Sequence, residues 1–133
     1  MNVQEKYEYW LDIAQYDLET ANTMFAGGRW IYVAFMCQQA IEKLVKGLYI
    51  LYIDDNVPRI HNINAIFQHF ENKLVSAISE ETLNLFDRLS GYYLNNRYPE
   101  YTNKLSLQIN ELTAQEILYQ THEVFAWLLT LHP

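Results

Sequence analysis

A chain of 133 residues, half of them hydrophobic, suffices for one domain with one core and is too apolar for disorder. Four glycines and three prolines favour long helices over a loop-rich β-sandwich. The net charge of -7 argues against broad nucleic-acid binding, and a single cysteine excludes an internal disulfide or a thiolate zinc site.

The first five residues, Met1-Asn2-Val3-Gln4-Glu5, are polar and acidic, unlike a signal peptide. Helix 1 is predicted from Val3 to Phe25. Tyr7, Leu11, Ala14, Leu18, Ala21 and Phe25 repeat in steps of four and three, the seam of a bundle helix. Asp12, Asp17, Glu19 and Asn22 fall mostly off that seam. Gly27-Gly28 ends the helix, because glycine accepts the left-handed conformation at a C-cap.

Helix 2 is predicted from Trp30 to Tyr52 and forms an antiparallel hairpin with helix 1. Its apolar set, from Val33 to Leu48, is wider than one stripe, so more than one neighbour should cover it. The run Ile41 to Ile53 is interrupted by Glu42, Lys43 and Lys46, too short and too charged to span a membrane. With the lone Cys37 this points to a reducing cytoplasm.

Residues 54–58 read as a loop. Helix 3 presents Ile63, Ile66, Phe67 and Phe70, with Asn62 as a candidate cap. Helix 4 starts after Ser79, carries Leu83, Phe86, Leu89 and Tyr93 inward, and should stop near Arg97, because Pro99 disfavours helical geometry at Tyr98. The segment from Pro99 to Leu112 has no clear period and reads as an extended loop. Thr113-Ala114-Gln115-Glu116 has the form of a capping box and opens helix 5. The expected fold is all-α, an antiparallel up-and-down bundle of four to five helices in a single domain.

Several chemistries lack their residues. The positions three before the histidines are Pro58, Ile66, Tyr119 and Leu129, so no Glu-x-x-His pair can hold a di-metal centre. The sequence has neither a phosphate-binding glycine loop nor a serine elbow. Cys37 lies on an apolar helix face and reads as a buried small hydrophobe. No metal and no cofactor is expected.

Four segments in order resemble the HEPN family of small helical proteins. They are Trp10 to Phe25 ending in Gly27-Gly28-Arg29-Trp30; Ala34 to Lys46, with Gln38-Gln39, Glu42-Lys43 and Lys46; His61-Asn62-Ile63; and Tyr92-Tyr93 through Arg97-Tyr98-Pro99. The resemblance implies a helical bundle that forms a homodimer. It also implies partnership with a minimal nucleotidyltransferase in a two-component, toxin–antitoxin-like system. Some members are proposed to bind nucleotides, and a stand-alone nucleotide-binding module is the alternative reading. RNA-cutting members carry an Arg followed after four to six residues by a His. The windows after Arg29, Arg59, Arg88 and Arg97 contain none, which disfavours a ribonuclease and any catalytic activity of this chain's own.

The candidate nucleotide or phosphate ligands are Arg97, Tyr93, Lys43, Lys46 and His61. Arg97 presents a rigid fork of donors suited to phosphate, or else braces its turn. Lys43 and Lys46 take a ligand, or else sit on a solvated helix face paired with Glu42 or an Asp. His61 points into a groove, or else bonds backbone at a helix start. Tyr92, Tyr93, Tyr98 and Tyr101 offer either packing surface or stacking faces.

Overall fold

The computed structural model describes residues 1–93 and 109–133. Among them are five α-helices: α1 (Val3–Ala26), α2 (Trp30–Tyr52), α3 (Ile63–Phe67), α4 (Glu80–Ser90) and α5 (Glu111–Leu129). A short 3-10 turn, Glu71–Lys73, follows α3. The described residues contain no strand, and no helix among them is long and apolar enough to cross a membrane.

The first hairpin is fixed at both ends. Asn2 and Glu5 form a reciprocal capping box that starts α1. At the other end Gly28 adopts φ 71°, while the Arg29 amide bonds the Met24 carbonyl and the Gly28 amide bonds that of Phe25. This double closure of a left-handed turn reverses the chain within three residues. Phe25 and Trp30 then pack across the turn with ring centroids 5.3 Å apart. Along the hairpin, Tyr7, Ala14, Leu18 and Ala21 are buried as the seam spacing predicts. Gly47 of α2 lies so close to α1 that an added Cβ would meet Trp10 Cβ at 3.2 Å and Tyr7 Cδ1 at 3.3 Å.

Helix α2 is the central element, with fourteen buried residues, and it touches each of the other four helices. Contacts between residues far apart in sequence set the directions. Asn22 meets His122 and Gln4 meets His132, so α5 runs antiparallel to α1. Arg88 meets Glu116, and the groove beside them pairs residues 81–85 with 119–127, so α4 runs antiparallel to α5. The four long helices therefore alternate up and down. Phe67, Phe70 and Phe86 close the core below α3, with centroid separations of 5.1 and 5.4 Å.

Three local expectations are corrected. Helix α4 ends at Ser90 with Gly91 as its cap, seven residues before Arg97. Tyr93 is therefore past the helix rather than an inward helical residue, and Leu85 takes the core position expected of half-buried Leu83. Helix α5 starts at Glu111, because the Asn110 side chain accepts the Thr113 amide at 2.9 Å. Thr113 is thus inside the first turn, and its resemblance to a capping residue is incidental.

Candidate functional site

The bundle buries a polar stripe. Gln38, Glu42 and Lys46 recur every four residues along α2, which places them on one helix face. All three are buried: Gln38 fully, Glu42 with 4% and Lys46 with 8% of their surface exposed. A carboxylate so placed needs partners, because desolvating an unpaired charge is costly. Glu42 has three. Its Oε1 accepts Gln38 Nε2 at 2.7 Å and faces His61 Nδ1 at 3.0 Å, and its Oε2 accepts Lys46 Nζ at 3.1 Å. Gln39 Nε2 extends the chain by donating to Gln38 Oε1 at 2.7 Å.

His61 is held from three sides. The next residue, Asn62, caps α3 by accepting the Ala65 amide at 3.0 Å. The Ile63 amide donates to Ser90 Oγ at 3.0 Å, which ties the start of α3 to the end of α4. Tyr93 stacks on the imidazole with centroids 3.7 Å apart and planes 12° apart. Because Nδ1 faces a carboxylate, an acceptor, Nδ1 carries the hydrogen. The ring's other nitrogen, Nε2, bonds no described residue.

The expectation that His61 bonds backbone is corrected, since its partner is the Glu42 carboxylate. The two lysines take the partners expected of them, Glu42 and an Asp, but the expectation that their face is solvated is corrected. Lys46 is buried against Glu42, and Lys43 pairs with the buried Asp17 at 2.5 Å. Asp17 is on the hairpin interface rather than off the seam because it meets Lys43. The site thus brings together Lys46, His61 and Tyr93, and draws Lys43 away to α1. Arg97, Tyr98 and Tyr101 lie outside the described residues.

A cleft of about 500 Å³ opens beside this cluster. Lys6, Tyr9 and Trp10 of α1 form one wall, Lys46 and Ile50 of α2 the floor, and residues 55–59 with His61 the other wall. Lys6, Lys46 and Arg59 bring three cations, and Asp55 is the one carboxylate among the described lining residues. A second groove of about 340 Å³, between α4 and α5, is lined by Glu81, Glu116 and Glu123 and has the wrong sign for phosphate.

Sequence reasoning missed Lys6, Trp10, Glu42 and Arg59 as site residues. The four-residue spacing of Gln38, Glu42 and Lys46 inside an apolar helix was the available signal for a buried polar stripe. Nothing in the sequence marks Arg59, an exposed loop residue after Pro58. Cys37 is buried and carries no site: desolvation pushes its thiol up to about 12. Among the described residues no group of three or more His, Cys, Asp or Glu side chains comes together to hold a metal ion.

Residues 7–131 match the family model of the HEPN domain. The fold is similar to the crystal structure of TT1696 from Thermus thermophilus, with a TM-score of 0.78 and 22% identity over 94% of this chain and 97% of that one. It is also similar to ST0689, an archaeal HEPN homologue, with a TM-score of 0.68 and 24% identity over 94% of this chain and 96% of that one. No curated protein matches the chain in sequence.

Proposed function

The chain belongs to the HEPN domain family, and from that premise we propose that it is a non-catalytic subunit that binds a nucleotide through its phosphates. The proposed site is the cleft between α1, α2 and residues 55–61. The observation that carries this reading is the convergence of Arg59 and His61 on one cleft walled by Tyr9 and Trp10, with Lys6 and Lys46 adding positive charge to its lining. Cations suit phosphate oxygens, and aromatic faces suit a base. Glu42 and Tyr93 hold His61 in one tautomer and one orientation, with the hydrogen on Nδ1, so Nε2 is a pre-organised acceptor for a hydroxyl or amino group of the nucleotide, and the phosphates fall to the cations. Arg97 keeps its proposed role as a phosphate ligand, whereas Lys43 is committed to Asp17.

We further propose that the subunit is a homodimer and works with a minimal nucleotidyltransferase in a two-component system. Family membership supports this part. Co-expression with such an enzyme and co-purification through a tag on one of them tests it. Saturable nucleotide binding without any complex would favour the stand-alone binding module.

The nucleotide reading is tested by titrating the protein with adenosine triphosphate and following tryptophan fluorescence, since Trp10 lines the cleft. A saturable change is expected. Arg59→Ala should weaken binding by about 1.5 to 3 kcal/mol, the value of a hydrogen bond to a charged group, and His61→Gln by about 0.5 to 1.5 kcal/mol, the value of a neutral one, with folding unchanged. A flat titration, or variants that bind as well as wild type, removes the cleft from consideration.

A further inference from the structure

The three cations of the cleft are not equally available. Lys46 is committed to buried Glu42. Lys6 is committed to Asp55, with Nζ and Oδ2 2.5 Å apart. Arg59 makes no ion pair among the described residues. Arg59 is therefore the natural first anchor for an anion, and the question is what a second anionic group would meet.

The two committed lysines differ in kind. The Glu42 side chain is buried and ties down Gln38 and His61 as well, so removing it from Lys46 would break a buried network. The Lys6–Asp55 pair stands in water, with side chains 33% and 60% exposed. Such a pair is weak, because solvent screens both partners whether or not they touch. Asp55 rides on the loop after α2, where the Asn56 amide bonds the Asp54 carboxylate at 2.9 Å. Hydrogen bonding and charge from Lys6 hold the Asp55 carboxyl below its ordinary range, so it is an ionised competitor at neutral pH. The position beside Lys6 is thus an anion subsite occupied by the protein's own carboxylate.

We infer that Lys6 is a latent phosphate subsite, closed by Asp55 and opened when a second phosphate displaces that carboxylate. The inference rests on the anion-binding reading of the cleft and adds to it the class of ligand. A ligand with two linked phosphates can engage Arg59 with one and exchange with Asp55 at Lys6 with the other. Because the exchange is within one bound complex, the second phosphate acts at high effective concentration. A lone monophosphate satisfies Arg59 and gains nothing from displacing Asp55. The cleft therefore favours diphosphate and triphosphate groups over single phosphates.

The test uses inorganic diphosphate as the probe in calorimetric titrations of wild type, Asp55→Asn, Lys6→Met and the double variant. Asp55→Asn should bind about three- to tenfold more tightly than wild type. Lys6→Met should bind more weakly, and adding Asp55→Asn to it should restore little. That last comparison separates competition at Lys6 from a general field effect, which would give the same gain in both backgrounds. An unchanged affinity in Asp55→Asn, or an equal gain with and without Lys6, overturns the inference. If wild type binds and Arg59→Ala does not, the cleft reading survives that failure. If no protein in the set binds diphosphate, both fall.

Discussion

Glu42 joins sequence to site more directly than any other residue. One carboxylate satisfies Gln38, steadies Lys46 and orients His61. Replacing it by Gln keeps the shape but leaves Lys46 as a buried charge without its counterion. We expect Glu42→Gln to lower unfolding free energy by about 3 kcal/mol, measured by urea denaturation, since breaking one side of a buried pair leaves the other uncompensated. Replacing both Glu42 and Lys46 by Met should recover most of that loss. A single variant within 0.5 kcal/mol of wild type, roughly the range of surface changes, would show that water reaches the pair. The residue types and their four-residue spacing were legible in the sequence; the partners that let them be buried were not. A Glu-Lys-x-x-Lys run reads as a solvated face unless the tertiary partners, Asp17 on α1 and His61 before α3, are known.

At the scale of elements, the hairpin brings two helices into close approach at Gly47. Alanine at position 47 would gain about 1 kcal/mol of helix propensity over glycine. Against this, its Cβ would press on Trp10 Cβ, an atom bonded to the α1 backbone, which can yield only if the helix moves. Overpacking costs about 1 to 3 kcal/mol, so it should win. We expect Gly47→Ala to melt about 4 °C lower in a thermal scan, and Gly47→Val lower still. An alanine variant more stable than wild type would mean that the interface has slack. Helices α1 and α2 were readable because period and turn glycines agree on them. The end of α4 was not, since Pro99 suggested a later stop than Gly91. The start of α5 was not either, since Thr113 to Glu116 imitates the cap that Asn110 supplies.

For the whole molecule, the bundle leaves aromatic surface uncovered. Tyr9, Tyr16, Tyr32 and Tyr119 are exposed, and tyrosine suits interfaces that are part apolar and part wet. We expect light scattering to give twice the 15.8 kDa chain mass at micromolar concentration, and a clean monomer would refute the homodimer. The all-helical architecture could be anticipated from composition and period, whereas the cleft could not, because it is built from residues 6, 46 and 59, which only the tertiary fold brings together. The glycine turn between α1 and α2 has a further consequence, in time rather than space. The interface it creates is the most extensive between helices among the described residues and joins neighbours in sequence. Such a hairpin closes a short loop, so little entropy opposes it. A growing polypeptide lengthens by roughly 5 to 20 residues per second, whereas helices form in about a microsecond or less. The α1–α2 pair can therefore be in place seconds before α5 is synthesised, leaving the last helix to dock on a finished surface.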